Sequence, residues 1–310
     1  MRILIIKPSS LGDVVQALPT VNLIRRRFPD AHISWLINAE LSSLLKKCPV
    51  IDDRIEFQRH NSGSWLPLLR RLRRERFDLV VDLQGLLRSG LFAFATGGAR
   101  RIGLCDAREG ARLFHTEVIK VPRAHAVERY LLASRHLGFA DGPIEFPLGL
   151  PNAPRENWIA INPSARWKTK LWGVENFRAL VNRLPAERVV FTGSAVEADW
   201  INRLADGRRS VAGKTDLFEL CELYRRCAVV ITNDSGPMHV AAAVGTPVVA
   251  LFGPTDPALT GPHGKQHVIL RSGISCSPCL KPYCTHKPEF ECMTLITVEQ
   301  VLAAAQPFIP

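Results

Sequence analysis

Residues 228–257 constrain the fold of this chain more than any other stretch. They begin with the apolar run 228–231 (AVVI), whose β-branched residues are typical of a buried strand. The polar turn Asn233-Asp234-Ser235-Gly236 follows, then the small-residue helix pattern of 240–243 and a second apolar run at 247–252. A strand, turn, helix and strand in this order predict a parallel βαβ unit.

The polar turn of this unit is a candidate binding site. It lies where a strand ends and a helix begins, and there the free N–H groups and the helix dipole favour an anionic ligand. An ordinary helix cap is the alternative, because Asp and Ser are favoured caps. A cap needs only one such residue, so the combination of Asp234, Ser235, Gly236 and His239 favours a site.

Strand and helix patterns alternate along both halves of the chain, which predicts an α/β protein with parallel sheets. Residues 140–157 carry four prolines and two glycines, and this composition cannot sustain a helix or a central strand. We place a domain boundary there, with one domain over 1–150 and a second over 151–310. Two such domains joined by a proline-rich hinge are expected to face a cleft.

The charge of the chain indicates an anionic partner. The net charge is +11, and residues 1–150 carry 23 Lys and Arg against 15 Asp and Glu. No zinc-finger or aromatic RNA-binding motif accompanies this charge, so no nucleic acid is expected. The chain has no apolar run long enough to span a membrane and no signal-peptide pattern, so we expect a cytoplasmic protein.

The first strand pattern runs into a second polar turn. Ser9, Ser10 and Gly12 suit a tight strand-to-helix connection, and Asp13 falls in the first helical turn. The carboxylate either serves as an electrostatic cap or carries a catalytic function. The turn is neither a dinucleotide-binding loop nor a P-loop, because both glycine signatures are absent.

These two turns together resemble glycosyltransferase family 9, the bacterial ADP-heptose:lipopolysaccharide heptosyltransferases. The resemblance rests on Asn-Asp-Ser-Gly-x-x-His from Asn233, on Phe-Gly-Pro-Thr-Asp-Pro from Phe252, and on the turn before Asp13. It implies the GT-B fold, with two Rossmann-like domains and a C-terminal helix, here 298–305, that packs back on the first domain.

The resemblance also implies a mechanism, an inverting transfer of L-glycero-D-manno-heptose from ADP-heptose in which Asp13 is the catalytic base. No Asp-x-Asp metal motif occurs, so cationic side chains and helix N-termini are expected to neutralise the diphosphate without a required cofactor. The family positions for donor binding correspond to Ser164, Lys170, Glu197, Thr215, Asp234, Ser235, Gly236 and His239.

The implied acceptor, the lipopolysaccharide inner core, is anionic, so its site is expected to be basic and to lie in the first domain. Candidate contacts are Arg70, Arg71, Arg73, Arg74, Gln84 and Arg129. The leucines beside these arginines, Leu68, Leu69 and Leu72, suggest a helix that rests on the anionic cytoplasmic face of the inner membrane. A monomeric peripheral protein is expected.

Four cysteines lie close together near the end of the chain, with the spacing Cys276-x2-Cys279-x4-Cys284-x7-Cys292. They suggest a structural metal site, either tetrahedral zinc or an iron–sulfur cluster. The alternative is a local disulfide or free thiols.

Other functions stay open from sequence alone. The acceptor is either Kdo or the first heptose, because the first turn resembles heptosyltransferase I and the second turn heptosyltransferase II. A family 9 enzyme with another nucleotide sugar, a sugar-nucleotide epimerase and a catalytically inactive binding protein are the alternatives.

Overall fold

The computed structural model describes residues 1–59, 61, 63, 65–139 and 142–309. The chain forms two compact units, Met1–Leu150 and Pro151–Pro310. The division falls inside the proline-rich segment described above. Among the described residues, no helix combines the length and the apolar content needed to cross a bilayer.

The first unit is a six-stranded parallel sheet with helices. Its elements are β1 (Arg2–Ile6), α1 (Leu11–Arg27), β2 (His32–Asn38), β3 (Asp53–Phe57), α2 (Trp65–Arg74), β4 (Leu79–Asp82), α3 (Leu87–Ala95), β5 (Arg100–Leu104), β6 (Glu117–Ile119) and α4 (Ala126–His136). The strand order is β3-β2-β1-β4-β5-β6. The apolar residues of β1 after Arg2 are fully buried, as expected for a central parallel strand.

The second unit repeats this topology. Its elements are β7 (Trp158–Asn162), α5 (Val174–Val181), β8 (Val189–Phe191), α6 (Ala198–Ala205), β9 (Arg209–Ser210), α7 (Leu217–Arg226), β10 (Cys227–Asn233), α8 (Gly236–Ala243), β11 (Val248–Leu251), α9 (Pro257–Thr260), β12 (Val268–Leu270), α10 (Glu291–Thr294) and α11 (Val298–Ala305). The strand order is β12-β11-β10-β7-β8-β9.

Both sheets have the strand order of a Rossmann fold. In each unit the first three strands are added toward one edge of the sheet and the next three toward the other edge, so the order of addition reverses between the first and fourth strands. The reversal lies between β1 and β4 in the first unit and between β7 and β10 in the second. The predicted α/β fold of two Rossmann-like domains is confirmed. Ligands of such sheets bind outside the carboxyl ends of these strand pairs.

Helix α11 packs within the second unit. Its residues Val301 and Ala305 are fully buried in that unit's core, together with Trp172 and Phe177. The Trp172 indole donates a hydrogen bond to the carbonyl of Ile296, just before the helix begins. The return of this helix to the first domain stays a prediction.

Candidate active site

The carboxyl ends of β1 and β4 form one wall of a cavity of about 400 Å³ in the first unit. Parallel pairing of β1 with β4 brings the turn after Ile6 beside the turn after Asp82. Helices α1 and α4 supply further lining. We call this space the Asp13 cavity, and its lining residues are Lys7, Asp13, Asp82, Leu83, Gln84, Gly85, Leu104, Asp106, Ala107, Arg108, Arg129 and Tyr130.

Asp13 is held by contacts to both of its carboxylate oxygens. Ser10 donates to Oδ2 from its hydroxyl, at 2.7 Å, and from its backbone N–H, at 3.1 Å. Tyr130 donates its hydroxyl to Oδ1 at 3.0 Å, and Lys7 Nζ lies 3.7 Å from the same oxygen. The Asp13 side chain nevertheless retains 38% of its exposure. The carboxylate is therefore fixed in orientation and still accessible from the cavity.

The surroundings of Asp13 favour its ionised form. Burial alone would raise the pKa of Asp13, but the Lys7 charge and the hydrogen bonds from Ser10 and Tyr130 outweigh it and lower that pKa. Burial lowers the pKa of Lys7, although Asp13 and Asp82 oppose the shift. Burial and the Asp13 charge raise the pKa of Tyr130, so this phenol keeps its proton and donates it in the hydrogen bond.

A buried network around Asp82 positions the second turn of the cavity. Asp82 accepts hydrogen bonds from the backbone N–H groups of Gln84 and Gly85 at 2.9 and 3.1 Å. Its other oxygen accepts from Ser89 at 2.8 Å and lies 3.0 Å from His115 Nε2. Both the Asp82 and the His115 side chains are fully buried. The turn after β4 is therefore held in place by side chains in the interior of the unit.

This network reaches the turn between β1 and α1 through Gln84. The Gln84 side-chain oxygen accepts a hydrogen bond from the Ser9 N–H at 3.3 Å. Ser9 precedes Ser10, the N-cap of α1, whose side chain bonds Asp13. Gly12 is buried directly before Asp13. All residues that the sequence assigned to the N-terminal turn therefore lie beside the Asp13 cavity.

In the second unit, the predicted donor residues follow the carboxyl ends of four strands. Ser164 follows β7, Glu197 follows β8, Thr215 follows β9 and Asp234 follows β10. The sheet is parallel, so these four ends lie along one edge. The structure thus brings together residues that are up to seventy positions apart in the sequence.

Lys170 and Asp234 form an ion pair at the β7–β10 junction. Lys170 Nζ lies 2.6 Å from Asp234 Oδ2, and the Lys170 side chain keeps 18% of its exposure. Thr255 donates its hydroxyl to the same Asp234 oxygen at 2.5 Å. Asp234 is almost fully buried. The acid therefore fixes the position of a cation at the sheet edge.

The backbone around Lys170 is held by buried side chains. Asn233, the last residue of β10, accepts a hydrogen bond from the Trp172 N–H at 3.2 Å and donates to the Pro163 carbonyl at 2.7 Å. The Trp172 ring packs edge-on against Phe177 with a centroid distance of 5.0 Å. The segment between Pro163 and Trp172, which carries Ser164 and Lys170, is therefore anchored at both ends.

The remaining donor candidates belong to the start of α8. Ser235 is its N-cap and has extended backbone angles, and Gly236 is its first residue. The Ser235 hydroxyl lies 3.4 Å from that of Thr232. His239, one turn further on, is buried.

Glu197, the candidate after β8, is engaged in a capping box, in which it accepts hydrogen bonds from the backbone N–H and the hydroxyl of Ser194.

The family model described as glycosyltransferase family 9 (heptosyltransferase) matches residues 65–289, which is more than half of the chain. The chain belongs to glycosyltransferase family 9. The predicted family and the predicted enzyme class, a glycosyltransferase, are thereby confirmed.

Relatives of this family 9 protein match most of the chain. It is 32% identical to lipopolysaccharide heptosyltransferase 1 of Pseudomonas aeruginosa, with 94% of this chain and 89% of the relative covered. It is 27% identical to lipopolysaccharide heptosyltransferase 2 of Escherichia coli, with 87% and 88% covered.

Solved structures agree in fold. The E. coli ADP-heptose lipopolysaccharide heptosyltransferase II superposes with a TM-score of 0.82 at 25% identity, covering 100% of this chain and 98% of the other. An E. coli heptosyltransferase solved with ADP has the same TM-score at 23% identity, covering 99% and 100%. The latter likeness concerns the fold alone.

The acceptor residues predicted for this family 9 protein separate into two groups. Gln84 and Arg129 line the Asp13 cavity, where Arg129 pairs with Asp106. The other group belongs to α2, which ends near the amino ends of the strands. There Arg71 pairs with Asp53, the first residue of β3, at 2.5 Å. The members that the structure does not bring to the cavity are Arg70, Arg71, Arg73 and Arg74.

The prediction that the α2 leucines face a membrane is wrong. Leu68 and Leu72 are buried in the core of the first unit, and Leu69 packs against that core. The physical reason is the position of α2, whose leucine face covers the sheet. Arg70, Arg73 and Arg74 of this helix are exposed.

The structure does not support the predicted metal site at the four cysteines. Across the described ranges, no group of three or more His, Cys, Asp or Glu side chains is arranged to hold a metal ion. Cys276 and Cys279 are exposed, whereas Cys292 is buried in α10. Burial and the neighbouring thiols raise the pKa of Cys292 to about 11. Within the described part of the chain, no disulfide joins any of these four cysteines, so the alternative of a local disulfide is wrong.

Several residues of the sites were missed by sequence reasoning. Lys7 and Tyr130 contact Asp13 and belong to no motif with a recognised chemistry. Thr255 contacts Asp234 and lies within the Phe-Gly-Pro-Thr-Asp-Pro motif, but the motif by itself assigned it no role. Asp82 had a detectable signal, because a carboxylate that ends a fully apolar strand must find buried partners. His115 offered none, since its partner lies 33 positions away.

Proposed function

We propose that this family 9 protein transfers a heptosyl group from ADP-heptose to the inner core of lipopolysaccharide, with inversion at the anomeric carbon and without a metal ion. The observation that carries the proposal is Asp13, an ionised and oriented carboxylate that lines a cavity at the β1–β4 junction. The names of the relatives support a heptosyl transfer to lipopolysaccharide. The name of the superposed E. coli ADP-heptose lipopolysaccharide heptosyltransferase II supports the donor.

In the proposed reaction, Asp13 accepts the proton of the attacking acceptor hydroxyl. The new C–O bond forms at the anomeric carbon while the bond to the diphosphate breaks, and ADP leaves with that electron pair. General-base assistance of this kind contributes roughly a hundred- to ten-thousand-fold in rate. Because its surroundings lower the pKa of Asp13, the proton is transferred late, when the hydroxyl has become acidic.

The second unit is assigned to the donor. Lys170, oriented by Asp234, supplies a cation for the diphosphate, and the first turn of α8 supplies N–H groups. Ser164, Glu197 and Thr215 lie at the same sheet edge and are assigned to the diphosphate, the ribose and the adenine side, respectively. Metal independence is supported by the absence of an Asp-x-Asp motif from the sequence.

The acceptor is proposed to be Kdo-terminated rather than heptose-terminated. The identity of 32% to the heptosyltransferase 1 of P. aeruginosa favours the first transfer. The two E. coli enzymes do not separate the steps, at 26% identity for heptosyltransferase 1 and 27% for heptosyltransferase 2. Gln84 and Arg129 are the proposed acceptor contacts, because both line the cavity that contains Asp13. The protein is proposed to act as a peripheral monomer at the cytoplasmic face of the inner membrane.

The test is a transfer assay with ADP-heptose and the two truncated core glycolipids, with and without EDTA. We expect transfer to the Kdo-terminated acceptor, unaffected by EDTA, with the anomeric configuration of the product inverted by NMR. Asp13→Ala is expected to abolish transfer and to retain ADP-heptose binding. Turnover of ADP-heptose without acceptor would instead indicate an epimerase, and binding without turnover in the unmodified chain a non-catalytic protein.

A further inference from the structure

Helix α3 exposes a row of large apolar side chains. Leu87, Leu91 and Phe94 follow each other at helical spacing and retain 42%, 39% and 59% of their exposure. Leu113, on the short 3-10 helix Ala111–Phe114 that packs against α3, is 87% exposed. We call these four side chains the α3 ridge.

The ridge is not a misplaced core face. The opposite side of α3 already contributes Phe92 and Ala93 to the core of the first unit. The short 3-10 helix that carries Leu113 contacts the end of this row, because the Phe114 and Phe94 rings are in edge-to-face contact at 5.8 Å. Contiguous exposed apolar side chains of this size mark an interaction surface.

The surroundings of the ridge are mainly basic, with Glu109 beside Leu87 as an exposed acid. Helices α2 and α3 together carry five arginines and no acidic residue. The Arg101 guanidinium lies over the Phe94 ring at 5.8 Å, and Arg112 is exposed beside Leu113. Near the ends of both helices, a further cavity is lined by Arg73, Arg74, Arg76 and Arg100. The partner of the ridge is therefore both apolar and anionic.

These properties favour a bilayer over a protein partner. A second copy of this chain would bring together two like surfaces on units with a marked excess of Lys and Arg, which is electrostatically unfavourable. An anionic bilayer offers apolar depth for leucine and phenylalanine and phosphate head groups for arginine. We propose that the α3 ridge inserts into the acyl boundary of an anionic membrane, with the surrounding arginines on the head groups.

The ridge begins next to the Asp13 cavity. Leu87 follows cavity-lining Gly85 by two residues, and its N–H donates to Glu109, the neighbour of cavity-lining Arg108. A lipid-linked acceptor in a membrane at this surface would present its sugar near the cavity. That consequence rests on the proposed function, whereas membrane binding itself does not.

The experiment is vesicle co-sedimentation of the full chain without donor or acceptor. We expect binding to phosphatidylcholine vesicles that contain phosphatidylglycerol and little binding to pure phosphatidylcholine. The double variant Leu91→Glu/Phe94→Glu is expected to weaken binding by at least about ten-fold. Leu295→Glu, an exposed leucine of the second unit, is the matched control and should bind like the unmodified chain.

Several outcomes would overturn the proposal. These are equal binding of the double variant, equal weakening by Leu295→Glu, and no preference for phosphatidylglycerol in the unmodified chain. A dimer in sedimentation velocity that the double variant converts to monomer would assign the ridge to a second copy. Thermal unfolding of each variant checks that it folds.

Transfer to a delipidated, water-soluble acceptor separates this inference from the proposed function. The double variant should retain that activity while losing vesicle binding. Vesicle binding without any transfer would refute the proposed function and leave the inference standing. Transfer without vesicle binding would do the reverse.

Discussion

The Tyr130 hydroxyl donates a hydrogen bond of 3.0 Å to Asp13 Oδ1, the oxygen that also faces Lys7. Ser10 occupies the other oxygen. Helix α4 therefore helps to fix a carboxylate that belongs to α1. A helix cap needs only the Ser10 contact, so the additional partners, Lys7 from the turn after β1 and Tyr130 from α4, favour the functional interpretation of Asp13 over the cap.

Tyr130→Phe is expected to move the acidic limb of the pH–rate profile to higher pH. The hydrogen bond stabilises ionised Asp13, so its loss raises the pKa of that carboxyl and leaves less base at acidic pH. At neutral pH we expect a two- to ten-fold loss of kcat/KM, corresponding to about 0.5–1.5 kcal/mol. Tyr224→Phe removes a buried hydrogen bond to Thr192 in the second unit and is the control. If the acidic limb of the pH–rate profile stayed unchanged in Tyr130→Phe, the proposal that ionised Asp13 is the base stabilised by Tyr130 would be contradicted.

Lys170→Ala is expected to raise KM for ADP-heptose by at least about ten-fold, because a charge-assisted contact contributes roughly 1.5–3 kcal/mol. Lys168→Ala is a matched control, since it removes a cation from the same short 3-10 helix, Lys168–Lys170, where Lys168 is exposed and lies over the Phe290 ring. Steady-state kinetics of both variants measure the difference. Equal increases in KM for the two variants would mean that Lys170 contributes only through the general positive charge of the surface.

Gly103→Ala is expected to destabilise the first unit through His115. An added Cβ would lie 2.0 Å from His115 Nδ1, so the ring that bonds Asp82 must shift. Overpacking of this kind costs about 1–3 kcal/mol. In a His115→Ala background the same substitution should cost at least about 1 kcal/mol less, because the obstructing ring is gone. Urea unfolding of the unmodified chain, the two single variants and the double variant gives the four unfolding free energies of a double-mutant cycle. If the two substitutions had additive effects on this free energy, the clash with His115 would be refuted.

Glu117→Gln is expected to destabilise the protein in a pH-dependent way. Hydrogen bonds from Arg100 and His136 lower the pKa of Glu117 to about 2, from an ordinary value of 4.5. A lowered folded-state pKa contributes stability that is present above pH 4.5 and is lost as the pH falls towards 2. The difference in unfolding free energy should be about 1 kcal/mol at pH 7, since solvent screens such pairs, and should shrink below pH 4.5. If the difference in unfolding free energy did not change with pH, the lowered pKa of Glu117 would be contradicted.

The central strands of the two sheets were predictable from the sequence, whereas strands β3, β5, β6 and β12 were not. Strands β1, β4, β7 and β10 are apolar runs that end in polar turns, and such runs have few other stable environments. Strands β3 and β5 contain charged residues, and β6 and β12 have three residues each. Neither kind stands out from loop sequence, so their pairing depends on neighbours that are distant in the chain.

The residues of the candidate sites also fall into a predictable and an unpredictable group. Asp13, Asp234 and Lys170 follow central strands and belong to motifs, so their types and positions identify them. Tyr130, Thr255 and His115 contribute through contacts that only the folded chain creates. The α2 leucines were misassigned because the side of an amphipathic helix that faces the sheet cannot be read from the helix alone.

The close approach of Lys170 to an indole is expected to give this protein a built-in optical reporter. Lys170 Nζ lies 4.9 Å from the centre of the half-exposed Trp167 ring. An arriving diphosphate that draws the ammonium away changes the electric field at that ring and hence its fluorescence. Titration with unlabelled nucleotide can then follow occupancy directly, and Trp167→Phe identifies the signal among the six tryptophans.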